Sequence, residues 1–127
     1  MVTIVNDDLL IVRLSGIIDS GAALALAREL NRIEAAGAYS KRIVFVDENL
    51  SVALKSGDVM LYKSLRLEPQ TVTKTAFCVF TDLQYGIARM FQALLESENH
   101  EINIFRDRES AAQWLAVDID LVREQSD

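Results

Sequence analysis

The sequence is poor in the residues that staple small folds or build special-purpose sites. It has one cysteine, one histidine, one proline and five glycines in 127 positions. A single cysteine, Cys78, excludes an internal disulfide and points to a reducing compartment, so a cytoplasmic location is expected. Transition-metal sites draw on clustered nitrogen and sulfur ligands. Here the one histidine, His100, stands 22 positions from Cys78, so no metal and no cofactor are expected. A hydrolytic triad would have to be built on His100 alone, and nothing places a nucleophile beside it. The glycines, at 16, 21, 37, 57 and 86, form neither Gly-x-Gly-x-x-Gly nor a Walker loop, which removes phosphate cradling by a glycine-rich turn.

Cationic surplus is also missing. Thirteen Lys and Arg face nineteen Asp and Glu, a net charge of −6, and the cations are scattered. Such a surface repels phosphate backbones and anionic lipid heads, so neither nucleic acid nor a bilayer surface is an expected partner. No apolar run approaches the 18 or more residues of a membrane span. The start, Met1-Val2-Thr3-Ile4-Val5, lacks a basic region and a long apolar stretch, so no signal peptide is expected. Half of the residues are hydrophobic and a quarter charged, the balance of an ordinary globular chain. A chain of this length buries roughly two-thirds of its unfolded surface and needs no staple. No repeat, linker or low-complexity segment divides it. One domain over 1–117 is expected, with 118–127 as an acidic tail or helix extension.

The pattern along the chain alternates strand and helix. Apolar runs at 2–5 and 9–14 flank Asn6-Asp7-Asp8, whose side chains favour turns, so a β-hairpin is expected, closed by Ser15-Gly16. Asp19 or Ser20 caps a helix with Ala23, Leu26, Ala27, Leu30 and Ile33 on one face, stopping at Gly37. Residues 42–46 read as a buried strand, and 49–55 as loop. Ser56 caps a short helix over 57–66 with Val59, Tyr62 and Leu65 inward, broken at Glu68-Pro69-Gln70. Ala76–Phe80 is a buried strand with Cys78 as inert core. Thr81 or Asp82 then caps a helix whose apolar stripe is Leu83, Ile87, Met90, Phe91, Leu94 and Leu95. A strand over 101–105 follows a solvated His100, and Asp107 caps a helix bearing Ala111, Trp114 and Leu115. Ile119 and Val122 either extend that stripe or face solvent. The order ββαβαβαβα implies an α/β fold, a mixed and mostly parallel sheet of about five strands with helices mainly on one face.

In parallel sheets ligands gather beyond the carboxyl ends of the strands. Those ends offer Asp47-Glu48, Thr81-Asp82 and Arg106-Asp107. A receiver-type phosphoacceptor site is the sharp reading of that set. It lacks the acid pair after the first strand, and it has Arg106 where a compact lysine ammonium is needed. Helix caps and solvated turns are the simpler assignment. Tyr85, Arg89 and Gln92 lie off the apolar stripe of the third long helix; they form either a solvated face or, from their residue types, a face for a protein partner or a second copy.

Ile11-Val12-Arg13-Leu14-Ser15-Gly16-Ile17-Ile18-Asp19 before an Ala/Leu-rich helix resembles the opening of STAS domains. The run Gly86-Ile87-Ala88-Arg89-Met90-Phe91-Gln92-Ala93-Leu94, with Ile104-Phe105-Arg106-Asp107 and Trp114-Leu115, is similar to small bacterial SpoIIAA-like proteins, a branch whose naming joins STAS domains with lipid-transfer domains. The resemblance spans most of 9–117. It implies a STAS-like fold and a non-enzymatic regulatory module working through a protein partner, with a homodimer as one form. In anti-sigma antagonists of this kind a serine in Asp-Ser-Ser-Gly, at the start of the second helix, is the phosphoacceptor. The corresponding stretch here is Leu54-Lys55-Ser56-Gly57-Asp58. It keeps Ser56-Gly57 and replaces the first two motif residues, so Ser56 is a phosphoacceptor candidate second to its reading as a cap. The branch name also implies an alternative, a carrier of a small apolar or lipid-like ligand held between sheet and helices.

Overall fold

The structure, a computed structural model, describes residues 2–6, 8–37, 39–66 and 72–126; the side chains of 2–6, of Ser56 and of 123–126 lie outside that description. The hairpin forms as expected: β1 (Val2–Asn6) pairs antiparallel with β2 (Leu9–Leu14). Gly16 follows with φ +78°, the left-handed region that a residue without Cβ enters without strain. It turns the chain into β3 (Ile17–Ile18), a two-residue strand. Then come α1 (Ser20–Ala36), β4 (Lys41–Val46), β5 (Ser51–Val52) and α2 (Ser56–Leu65). The chain finishes with β6 (Thr73–Cys78), α3 (Asp82–Leu95), β7 (His100–Phe105), α4 (Arg108–Leu115) and α5 (Ile119–Ser126).

The main sheet runs β1-β2-β4-β6-β7, with every pair after the first parallel. A small second sheet pairs β3 with β5, inside stretches where the sequence pattern gives only a turn and a loop. The fold is thus α/β with a mostly parallel sheet.

The helices, however, cover both faces. Along β2 and β4 both sides are apolar: Leu9, Ile11, Ile43 and Phe45 point one way, Leu10, Val12, Val44 and Val46 the other. Each side must be shielded from water. The first set packs with Ala111, Ala112 and Leu115 of α4 and Val122 of α5. The second meets Leu30 and Ile33 of α1 and Ala88 of α3. Helix α2 rests on its neighbours through Tyr62, which joins Ala23, Ala27 and the ring of Phe91, its own ring edge-on to Phe91 at 5.8 Å. An arrangement mainly on one face therefore understates the fold: α1–α3 share one face, and α4 with α5 close the other. The last helix is not a continuation of α4. Ala116 turns left-handed at φ 56°, and α5 returns with Val122 fully buried.

Local signals place the helix starts. Asp19 Oδ1 accepts the Ala22 N–H at 2.9 Å, and Asp107 Oδ1 accepts that of Ser110 at 2.7 Å. Thr81 Oγ1 accepts the Gln84 N–H at 3.1 Å while Gln84 Oε1 accepts the Thr81 N–H at 3.3 Å, a reciprocal cap, and the Phe80 N–H at 2.8 Å as well. The second helix differs from expectation. It begins at Ser56 itself, and the Asp58 carboxylate, not a serine, reaches back to the Lys55 N–H at 3.0 Å. The break at Glu68-Pro69-Gln70 lies outside the described residues.

Candidate functional site

Strand periodicity lines up a polar row on an otherwise apolar face. Arg42 precedes Val44 and Val46 on one side of β4, and its register partner on β6 is Thr75, two residues before Phe77. Thr75 Oγ1 lies 2.8 Å from Nε2 of His100, the first residue of β7. From the helices, Glu34 of α1 bridges two guanidiniums: Arg42 Nη2 at 2.9 Å and Arg66 Nη2 at 2.7 Å. Arg66, just past the end of α2, also donates through Nη1 to Asn31 Oδ1 at 2.5 Å. The side chains of Arg42, Arg66 and Glu34 are 7, 10 and 14 % exposed. Two cations and one anion are therefore held out of water together. Arg42 Nε is the one buried side-chain nitrogen or oxygen among the described residues that has no hydrogen-bond partner.

His100 belongs to this cluster. The sequence pattern reads it as solvated, yet it is 8 % exposed. Burial, and then the positive charges of Arg42 and Arg66, push the imidazole down from 6.5 to about 4. The Leu95 carbonyl takes a ring N–H, which leaves Nε2 of the neutral ring to accept from the Thr75 hydroxyl. This makes stability pH-dependent. Between pH 6.5 and 4 the unfolded chain binds a proton that the folded chain refuses. The contribution of His100 is therefore complete above pH 6.5 and is lost as pH falls to 4, by on the order of 2–3 kcal/mol. Urea unfolding of the wild type and of His100→Gln at stepped pH should show the wild type losing more stability across that window; equal slopes would reject the assignment.

The row opens onto a cavity of about 250 Å³ between the sheet and α1–α3. Its floor is Val12, Val44, Phe77 and Val79, and its roof includes Leu26, Leu30, Ile87 and Phe91. Arg42, Arg66, Thr75 and His100 sit on its wall. The polar end lies at the amino ends of β4, β6 and β7, opposite the end where the sequence places a site. Sequence reasoning overlooked Arg42, Glu34 and Arg66. The available signal was the period of two, which puts Arg42 on the same face as Val44 and Val46 and so inside.

At the carboxyl ends the expected acids are near one another but otherwise occupied. Asp47 accepts the Asn49 N–H, while its carbonyl and that of Glu48 accept from Gln84 Nε2 at 2.9 and 3.2 Å. Asp82, almost wholly exposed, pairs with Arg106 at 2.7 Å. Asp107 caps α4. No cluster of three or more His, Cys, Asp or Glu among the described residues is arranged to hold a metal ion. Cys78 is buried, and burial pushes its thiol up to about 12, so the thiolate is suppressed.

The expected partner face on α3 divides. Tyr85 is half-buried under the Arg106 guanidinium, 5.1 Å from the ring centre. Gln92 Nε2 donates to the Ile102 carbonyl at 2.7 Å, and Glu96 Oε2 accepts the Ile102 N–H at 3.0 Å. His100 exchanges backbone bonds with Ser97, and Asn103 Oδ1 accepts the Ile104 N–H. Most of the outward backbone groups of β7 are thereby engaged, which disfavours pairing with another strand. Gln92 is an edge guard, and only Arg89 of the three is exposed. The inward positions of α3 also differ from expectation. Gln84 and Ala88 are buried, while Leu83 and Met90 are exposed. The side chain of Ser56 is outside the described residues, so its role as phosphoacceptor rests on the resemblance alone.

No protein-family model matches the chain, and a search of the curated proteins returns no match. No helix among the described residues is long and apolar enough to cross a membrane.

Proposed function

We propose that this protein is a non-enzymatic binding protein for a small, largely apolar molecule held between the sheet and α1–α3. The cavity carries this reading. Protein interiors are close-packed, and voids much larger than a water molecule are few. This space is partly open and lined mostly by hydrocarbon, so without an occupant it keeps apolar surface in contact with water, and a ligand that covers that surface is favoured by the hydrophobic effect. By the scale of a cavity of about 150 Å³ that holds benzene, the occupant has about ten non-hydrogen atoms.

Val44→Phe tests this from the cavity floor. The added ring occupies the space without adding a polar group. The expected result is a folded protein whose thermal midpoint is unchanged or higher, cavity filling being worth about 0.5–2 kcal/mol, and which no longer retains small apolar molecules in native mass spectrometry. Undiminished retention would sink the reading.

A second reading follows from the STAS resemblance, a regulatory module that docks another protein. Ile17, Phe80 and Leu83, at 65, 53 and 75 % exposure, all lie at the carboxyl end of the sheet, and exposed apolar side chains gathered in this way suit an interface. Sedimentation of the wild type and of Leu83→Asp tests the homodimer version. Association that weakens in the variant supports it; an unchanged monomer at all concentrations removes it.

A further inference from the structure

We infer that the occupant of the cavity is a single-chain amphiphile, an unbranched hydrocarbon of about eight to ten carbons lying along the strands, with its polar head at a mouth formed by Lys63, Glu96 and Ser97. This deepens the binding-protein reading above and rests on it.

Length is the first support. On β4 the lining runs from Arg42 to Val46, and along β6 and just past it from Thr75 to Val79. At the rise of a strand each stretch spans about 13 Å. The helices above agree. The lining of α3 runs from Gln84 to Leu95, about 16 Å of helix axis, and that of α1 from Ala23 to Leu30, about 10 Å. The space is therefore a slot parallel to the strands. Its volume of about 250 Å³ holds about ten non-hydrogen atoms on the benzene scale. Ten carbons in one zigzag file, with bonds near 1.5 Å, reach about 11–12 Å. One extended chain thus fills the volume and the length together. A compact ring with the same number of atoms covers one part of the slot and leaves the rest in water.

Polarity along the slot is the second support. Of its lining residues only Lys63, Glu96 and Ser97 are exposed, and all three lie toward the amino ends of the strands. That end is the mouth. The opposite end is closed by β3 and β5. Ser51 N–H donates to the Gly16 carbonyl at 2.9 Å and Ala53 N–H to that of Ile18 at 2.8 Å, while Gln84 Nε2 ties α3 to the Asp47 carbonyl at 2.9 Å. The side chains lining the slot there, Ile18, Leu50 and Val52, are apolar and half-buried. The polar groups on the wall near the mouth are engaged with one another: Thr75 with His100, and Arg66 with Glu34 and Asn31. A slot that is apolar along its floor, blind at one end and polar at its mouth takes a chain tail first and leaves the head in water.

The test measures dissociation constants by calorimetry for hexyl, octyl, decyl and dodecyl glucoside below their micelle concentrations, and for 1-octanol and cyclooctanol. Affinity should rise about fourfold per methylene from hexyl to roughly decyl and then level off, because further methylenes stay outside. 1-Octanol should bind within about tenfold of octyl glucoside, since the head lies beyond the mouth, and cyclooctanol at least about tenfold more weakly than 1-octanol. Ile18→Phe, at the blind end, should move the levelling point about two carbons shorter; the wild-type series decides the matter if that variant does not fold. Cyclooctanol bound as tightly as 1-octanol, or affinity independent of chain length, overturns the chain assignment and leaves the binding-protein reading standing. Octyl glucoside bound more than about a hundredfold more weakly than 1-octanol overturns the head-out orientation. Failure of every one of these molecules to bind overturns both.

Discussion

Glu34→Ala is expected to lower the unfolding free energy by about 3–5 kcal/mol. The reason is asymmetry. Glu34 accepts from Arg42 at 2.9 Å and from Arg66 at 2.7 Å, with all three side chains almost wholly buried. Desolvation disfavours the Arg42 cation and the repulsion of Arg66 adds to it; the carboxylate of Glu34 is the attraction that offsets both most strongly. Removing the carboxylate leaves two buried like charges that do not neutralise. In urea, with a slope near 2 kcal/mol/M for a domain of this size, the midpoint should fall by about 2 M without a change in slope. Adding Arg42→Met to Glu34→Ala should recover part of the loss, since one of the stranded charges goes with it, and the cycle measures the coupling. A loss below about 1 kcal/mol for Glu34→Ala would mean that the cluster is solvated.

Leu115→Ala should cost about 3–4 kcal/mol and lower the thermal midpoint by roughly 10–15 °C. Leu115 is fully buried and sits in the cluster of Leu9, Ile11, Ile43, Ala76 and Val122 that joins α4 and α5 to the sheet. Its removal takes away transfer free energy and leaves a space that the rigid strands beneath do not close. A small apolar molecule bound in the natural cavity should raise the midpoint of wild type and Leu115→Ala by similar amounts, because the new space lies on the opposite side of the sheet. If Leu115→Ala costs less than about 1 kcal/mol, α4 and α5 are not an integral layer of the fold.

Some of this architecture is legible in the amino-acid sequence alone. Asp19, Thr81 and Asp107 stand just ahead of helical periodicity, and each caps its helix. The α/β class follows from strands and helices in alternation, and Cys78 lies among core residues as its apolar neighbours require. These features are decided within a few residues of sequence, where propensity, capping and periodicity act.

The rotation of α3 is not legible in that way. Ranking by hydrophobicity turns Leu83 and Met90 inward. In the fold Gln84 takes the inward position, because its side chain has four polar partners there: the N–H groups of Phe80 and Thr81 and the carbonyls of Asp47 and Glu48. Ala88, one turn on, is small enough to let the helix approach the sheet. Gln92 and Glu96 then fall beside the edge of β7.

The sequence by itself determined the local elements, the α/β class and the acidic balance of charge, since each depends on neighbours in the chain or on composition. Tertiary structure alone decided that helices cover both faces, that α5 packs through Val122, and that a buried charged cluster exists at all. Arg42, Thr75 and His100 come from three strands, Glu34 from a helix and Arg66 from the end of another. None of them is distinctive alone. Parallel pairing sets Arg42 beside Thr75, helix packing lowers Glu34 and Arg66 onto them, and the shared loss of water turns ordinary residues into a buried cation beside an apolar cavity.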